Sequence, residues 1–389
     1  MYKIQTLNKI STKGLDLLTH DKYEVASEFT NPDGIVLRSY KMHDMQLPES
    51  LKAIARAGAG TNNIPIEKCS EKGIVVFNTP GANANAVKEI VLASMLISSR
   101  DIIGGVNWVQ GIKNEGEAVP ALVEKGKSQF GGNELKGKKL GVVGLGAIGA
   151  MVSNAALSLG MEVIGYDPYL SVEAAWELSS DVQKASGLET LLKEVDYITI
   201  HVPLLDSTKG MYNAEKFSMM KDGVKFINFS RGGLVNNEDM KAALASGKVS
   251  AYVTDFPSAD LLGVDGIIPI PHLGASTQES EDNCAIMASA QLKDFLENGN
   301  IRNSVNFPNC ELPKKRNKKR IIIANKNVPN ILSVITTLLA ENNINIYDML
   351  NKSKKDIAYS IIDTDTDLSQ DILDKIKNTN GILMVKVFN

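Results

Sequence analysis

No stretch of this chain approaches the ~18 consecutive apolar residues that a membrane-spanning helix needs. Cysteine is scarce: Cys69, Cys284 and Cys310 stand far apart, in neither a disulfide framework nor a zinc-ligand spacing. They read as reduced thiols of a cytosolic protein, and no metal is expected. The segment Met1-Tyr2-Lys3-Ile4-Gln5 lacks the apolar core of a signal peptide, which also points to a cytoplasmic location. A strong charge of either sign is missing too. With 42 basic and 45 acidic residues the net charge is -3, so nucleic acid or an anionic membrane is not an expected partner. A local basic patch for a phosphorylated metabolite remains open.

What is present is a soluble globular composition, 43% hydrophobic and 22% charged, over 389 residues, long enough for two or three domains. Near the start, Ile35–Arg38, Ala53–Arg56 and Val75–Phe77 are short apolar runs suited to buried parallel strands, which present chemistry at their carboxyl ends. Helical spacing follows from Val87 to about Val109, with Ile90, Leu92, Ala93, Leu96 and Ile97 as the expected buried face. Residues 110–133 are polar and glycine-rich. A second series of buried strands comes next: Leu140–Val143, Val163–Tyr166, Tyr197–His201, Phe226–Phe229, Ala251–Asp255 and Ile267–Ile270. Helical segments between them predict a doubly wound parallel sheet, and a helix is expected over Ser280–Asn298. Residues 309–319 form a basic run whose simplest reading is a solvated tether. The last ~70 residues are patterned strand, helix, strand, strand, helix, strand, a βαββαβ α+β domain of its own.

The strand Lys139–Val143 runs into Gly144-x-Gly146-x-x-Gly149. Gly144 permits a tight turn, Gly146 lets backbone approach a pyrophosphate, and Gly149 lets helix and strand pack closely. The helix start at Ala147 and Ile148 offers free N–H groups to phosphate. Asp167 closes the next strand, placed to accept ribose hydroxyls and to repel a 2′-phosphate, so NAD is favoured over NADP.

Three further strand ends carry Asn228-Phe229-Ser230-Arg231-Gly232-Gly233, Val253-Thr254-Asp255 and Pro271-His272-Leu273-Gly274-Ala275-Ser276. Oxidising a 2-hydroxy acid needs a cation for the carboxylate, which arginine supplies with two hydrogen bonds. It also needs a base for the hydroxyl proton, suited to histidine, and an acid to orient that histidine. Arg231, His272 and a nearby carboxylate meet these needs. His201, in His201-Val202-Pro203, is the rival base or a wall of the nicotinamide side; His20 and His43 have no such context.

With these motifs in this order the chain resembles the D-isomer-specific 2-hydroxyacid dehydrogenase family over nearly its whole length. Arg56-Ala57-Gly58-Ala59-Gly60-Thr61-Asn62-Asn63-Ile64 resembles its glycine-rich substrate loop, and Asn78-Thr79-Pro80-Gly81-Ala82-Asn83 the loop beside the nicotinamide. The resemblance implies a Rossmann-type doubly wound cofactor domain, 88–284, inserted into a flavodoxin-like substrate domain, 1–87 and 285–308, with a linker over 309–319. It implies Arg231 and His272 as catalytic, with Asp260, where the family has glutamate, as the acid orienting His272. It implies that NAD meets Thr79, Gly144, Gly146, Ala147, Ile148, Gly149, Asp167, His201, Val202, Phe229, Ser230, Arg231, Asp255, His272, Gly274 and Ala275. A dimer, or a tetramer built of dimers, through the cofactor domain is implied as well.

Val36-Leu37-Arg38-Ser39 resembles the Arg-Ser pair of members that oxidise 3-phospho-D-glycerate to 3-phosphooxypyruvate, the entry to serine synthesis. Arg38, Ser39, Arg56, Gly58 and Asn83 would then meet the substrate, the two arginines converging on its phosphate; the alternative is that they are surface ion-pair partners. The tail, 320–389, resembles an ACT regulatory domain, which implies an L-serine effector at Asn325, Asn327 and Asn345. Asn325 stands where the serine-sensing type has histidine and Asn330 where it has glycine, so a domain that only dimerises the enzyme is the alternative. For the whole chain the competing readings are a broader glycerate, glyoxylate or hydroxypyruvate dehydrogenase and an NAD(H)-sensing corepressor on the same fold.

Overall fold

The computed structural model describes residues 1–313 and 318–388. Part of the expected basic linker, 314–317, therefore lies outside the described residues. The chain divides into two compact units, Met1–Asn83 with Gln278–Asn389, and Ala84–Thr277. The boundaries fall a few residues before those expected at 87 and 284.

The first unit opens with five parallel strands, β1 (Tyr2–Leu7), β2 (Tyr23–Ala26), β3 (Gly34–Leu37), β4 (Ala53–Arg56) and β5 (Val75–Phe77), in the order β2-β1-β3-β4-β5. The runs read as continuously apolar because both faces are covered. Val36, Ala53, Ala55, Val75 and Phe77 pack on one side, while Ile35, Leu37, Ile54 and Val76 pack on the other. The first side meets helix Gln278–Asn298, whose Ala285, Ala288, Leu292, Phe295 and Leu296 recur at helical spacing along one buried stripe.

The second unit holds β6 (Lys139–Val143), β7 (Glu162–Tyr166), β8 (Gln183–Lys184), β9 (Tyr197–Ile200), β10 (Val224–Asn228), β11 (Val249–Thr254) and β12 (Ile267–Pro269). All are parallel, in the order β12-β11-β10-β9-β6-β7-β8. The order reverses between β6 and β9, the switch point outside which ligands bind in such sheets. The expected helix from Val87 to Val109 is two, Ala84–Ser99 and Ile102–Gly111, the second capped by Asp101 through Gly104 N. The buried face of the first is Val87, Val91 and Met95; of the expected face Ile90 and Leu92 pack against that core half-buried, while Ala93 and Leu96 are exposed. Apolar residues populate both sides of this helix, so periodicity alone does not choose between them.

The tail forms β13 (Lys319–Lys326), β14 (Ile346–Lys354), β15 (Ile357–Thr364) and β16 (Ile382–Phe388), antiparallel in the order β14-β15-β13-β16, with helices Ile331–Glu341 and Gln370–Lys377. It has the expected strand, helix, strand, strand, helix, strand order, and it falls in the first unit with the five-stranded sheet. Ile321 and Ile323 face the tail's own helices, whereas Ile322 and Ala324 share a core with Phe77, Phe295 and Phe307. Arg320, the last residue of the basic run, is fully buried. It grips Asp363 through Nε at 2.7 Å and Nη2 at 2.8 Å, and its Nη1 donates to the carbonyls of Asn298 and Leu312. Asn330 takes φ 73°, the left-handed geometry that glycine favours and asparagine tolerates.

Candidate functional site

In the second unit every candidate site residue sits at a strand's carboxyl end. Gly144 has φ +89°, and a Cβ there would stand 2.6 Å from the His201 carbonyl oxygen. A Cβ on Gly149 would overlap the Gly144 carbonyl, so the helix starting at Ala147 can lie against β6 only with glycine here. Gly146 differs: nothing of the protein lies within 4 Å of its missing Cβ. It caps helix Ala147–Ser158 without any side-chain hydrogen bond, leaving the first-turn N–H groups for a ligand. Asp167 accepts from Leu145 N at 2.9 Å and Tyr169 N at 2.8 Å, which fixes its carboxylate at the rim of the glycine loop.

His201 follows β9 beside Gly144. Its Nε2 lies 3.0 Å from Thr199 Oγ1, and its Nδ1 is buried without a partner. Burial pushes the imidazole pKa down to about 3, so the ring is neutral at physiological pH and poorly suited to take up a proton.

Asn228, buried at the end of β10, accepts from Ser230 N at 3.0 Å and donates to the Arg231 carbonyl at 3.0 Å. Ser230 Oγ holds the Ile200 carbonyl at 2.6 Å. These bonds shape the turn that exposes Arg231. Asp255, after β11, is 2% exposed; its Oδ2 meets Gly274 N at 3.4 Å and its Oδ1 has no partner. A Cβ on Gly274 would stand 3.2 Å from that carboxylate, so glycine allows the approach. Burial raises the Asp255 pKa, opposed by the charges of His272 and Arg231. His272, after β12, is exposed and packs edge-on against Phe256 with centroids 4.7 Å apart.

The expected pairing of Asp260 with His272 is not formed. Asp260 accepts from Asn237 Nδ2 at 3.0 Å, lies 3.9 Å from Lys241 Nζ, and is lowered in pKa first by Ser258 and then by Asn237. The carboxylate that feels the charge of His272 is Asp255. The physical reason is local: the short turn Ala259–Leu261 turns the Asp260 side chain to the neighbouring helix, whose Asn237 and Lys241 meet it first.

In the first unit the candidate residues close β3, β4 and β5. Asn8, just after β1, accepts from the N–H groups of Arg38, Ser39 and Tyr40 and so shapes that loop. Sequence reading passed over it because β1 carries no distinctive motif. Arg38 pairs with Glu281 at 2.6 Å, the two side chains each 41% exposed. Arg56 donates to the Arg38 carbonyl at 3.0 Å and to the Gly60 carbonyl, which braces the glycine-rich loop. Burial raises the Cys284 pKa, and the charges of Arg38 and Arg56 are the smallest of the causes that oppose it, so the two arginines do approach one region. Thr79 is fully buried, and its hydroxyl accepts from Gly58 N at 2.8 Å. That side chain therefore fastens the loop. Asn83 ends the unit's first segment, half-buried.

In the tail, Asn325 and Asn327 lie at the end of β13 that pairs with Ile357, while Asn345 precedes β14 at the end that pairs with Thr364. Across the strand these ends are roughly 25 Å apart at ~3.3 Å per residue. Within one chain the structure does not bring the three together. Asn325 is buried with its Oδ1 unpartnered.

Comparison with known proteins identifies the setting. Residues 92–274 match the model of the D-isomer specific 2-hydroxyacid dehydrogenase NAD binding domain. A D-3-phosphoglycerate dehydrogenase of Haemophilus influenzae is 32% identical over 340 residues, 84% of this chain and 79% of that protein. A hydroxypyruvate reductase of Thermotoga maritima is 36% identical over 308 residues, 73% of this chain and 95% of that protein. The crystal structure of NAD+-bound 3-phosphoglycerate dehydrogenase from Entamoeba histolytica matches with TM-score 0.59 and 26% identity, covering 78% of this chain and 98% of that one. The chain spans less than two thirds of the length of several other D-3-phosphoglycerate dehydrogenases that it matches. Among the described residues no helix is long and apolar enough to cross a membrane.

Proposed function

Because the chain belongs to the D-isomer-specific 2-hydroxyacid dehydrogenase family, we propose that it oxidises 3-phospho-D-glycerate to 3-phosphooxypyruvate with NAD. The observation that carries this reading is the set of strand ends in the second unit, where Arg231, buried Asp255 and His272 gather beside an open glycine loop. NAD fits the residues present: the vacant space at Gly146, the uncapped helix start and the unpartnered Oδ1 of Asp255 and Nδ1 of His201 are groups that a dinucleotide would meet. Bound NAD would supply the hydride acceptor. Arg231 binds the substrate carboxylate with two hydrogen bonds and polarises the C2 oxygen. His272 takes the C2 hydroxyl proton as the C2–H bond breaks and the carbonyl forms. Burial raises the Asp255 pKa and the charge of His272 opposes that rise, which supports Asp255 as the acid on this side of the site. Asp260 orienting His272 is supported by family likeness alone, and its observed partners argue for a structural bond to Asn237. Arg38 and Arg56 take the phosphate, a role supported by the bond of Arg56 Nε to the Arg38 carbonyl at 3.0 Å, which holds the ends of β3 and β4 together.

A hydroxypyruvate reductase among the relatives favours a second reading, a broader 2-hydroxyacid dehydrogenase. Purified protein decides between them: reduction of phosphohydroxypyruvate with NADH should exceed that of hydroxypyruvate, glyoxylate and pyruvate. Equal rates would sink the phosphoglycerate assignment. The family's dimer through the cofactor unit is supported by helix Ile102–Gly111, which buries none of its residues and exposes Ile102, Ile103, Val106 and Val109. An L-serine effector would use Asn325, whose Oδ1 lacks a partner, with Asn345 contributed by a second copy. A cytoplasmic location accords with three free, buried cysteines.

A further inference from the structure

The first unit contains a cleft of about 460 Å3 that the proposed reaction does not use. Its lining includes Asn78, Asn303, Asn309, Lys352, Ser353 and Lys354, and no acidic residue contributes to it. Lys352 and Lys354 stand two apart on β14 and so project to one face of the strand. Lys354 Nζ donates to the Ser304 carbonyl at 2.9 Å, which pins β14 to the 303–306 segment. Lys352 is exposed and has no carboxylate partner among the described residues. The cleft thus presents two cations and three amides, a donor-rich wall with no anion to balance it.

The far wall is connected to the substrate loop. Asn303 takes φ 56°, receives Asn309 Oδ1 on its N–H at 3.0 Å, and through its carbonyl meets Asn78 N at 3.4 Å. Asn78 Nδ2 donates to the Ala59 carbonyl at 2.6 Å, inside the loop that Thr79 fastens through Gly58. Ser304 and Asn306 bind both backbone groups of Val76, so the same segment also edges β5. A ligand held by Asn78 and Asn303 would therefore bear on residues 56–61.

We propose that this cleft binds a small oxyanion, a carboxylate or phosphate group of a metabolite, and that binding stiffens the substrate loop through Asn78. The binding stands by itself; the consequence for turnover rests on the dehydrogenase reading. The test is calorimetric titration of the full chain with inorganic phosphate and, in a separate series, with malonate, which distinguishes the two sources of the anion. Phosphate can also meet Arg38, so Arg38→Gln serves as the control. Lys352→Glu should weaken one class of site at least tenfold, and Arg38→Gln should leave that class unchanged. Hydrogen exchange of residues 76–80 should slow on binding in the parent chain and not in Lys352→Glu. Anion-free turnover of Lys352→Glu should stay within twofold. Identical titrations of Lys352→Glu and parent, or no binding of either anion, overturn the proposal. Binding in a chain that turns over no hydroxy acid would instead overturn the proposed function and leave the site standing.

Discussion

Asp255 and Asp363 are both buried aspartates, and the protein treats them in opposite ways. Asp363, in the tail, is 1% exposed and held by two bonds from Arg320, whose remaining nitrogen, Nη1, is satisfied by the Asn298 and Leu312 carbonyls. Asp255, at the end of β11, is 2% exposed, has one long contact to Gly274 N and keeps an unpartnered Oδ1. A buried polar group left incomplete costs free energy. A fold tolerates that where a ligand completes it, and a group completed by the protein itself has no capacity left for chemistry. The first region is built to hold two layers together, the second to wait for a partner.

The largest effect expected from breaking this contrast is on turnover. His272→Ala should lower kcat by about 10²–10⁴-fold, while binding of NADH, followed by its dihydronicotinamide fluorescence, persists. The ring is exposed, so the melting temperature should hardly move. Retained turnover would remove His272 from the chemistry. On the structural side, Arg320→Met leaves Asp363 charged, buried and alone, and should cost about 3–5 kcal/mol in denaturant unfolding. Adding Asp363→Leu should recover most of that loss, since an apolar pair of similar volume is often as stable as a buried ion pair.

Asp255→Asn sharpens the comparison, because it should cut turnover yet leave the fold as stable or more so. The Asp255 pKa is raised in the folded state. Between the unfolded and folded values the native chain holds the extra proton, so stability falls as pH rises through the folded value. The asparagine variant should lose that component of the pH dependence. Lys386 offers the smallest test. Its Nζ donates to the Leu296 carbonyl at 2.6 Å and lies 5.1 Å from the Tyr2 ring centroid. Burial pushes its pKa down to about 7, opposite in sign to Asp255. From pH 7 toward the ordinary lysine value the unfolded chain binds more protons, so stability should rise with pH. Lys386→Met should flatten that slope; an unchanged slope would show that the ammonium is not desolvated.

The glycine loop was legible in sequence because Gly144 and Gly149 answer backbone requirements that no other residue meets, while Gly146 leaves open space at its missing Cβ. The central strands of both parallel sheets were legible because burial on two faces demands unbroken apolar runs, whereas the partly exposed β1 and β2 and the exposed β8 carry no such run. The face of helix Ala84–Ser99 was not, since Leu96 and Met95 are equally apolar and only packing separates them. Asn8 was invisible because its task, holding three successive N–H groups, leaves no pattern beyond one asparagine. The acid beside His272 was misplaced for a related reason. Family resemblance puts Asp260 near the histidine, but Asn237 and Lys241 meet it from another helix.

By itself the sequence determined the central strands of the two parallel sheets and the glycine loop of the NAD domain, because local backbone demands are written in residue type and order. Tertiary structure alone decided that Asp260 turns to Asn237 and Lys241, that Arg320 is buried instead of solvated, and that the tail shares a core with the first sheet. A charge in a basic run looks the same whether water or an aspartate 43 residues away receives it. Only the folded chain distinguishes them, because the partner comes from a distant strand.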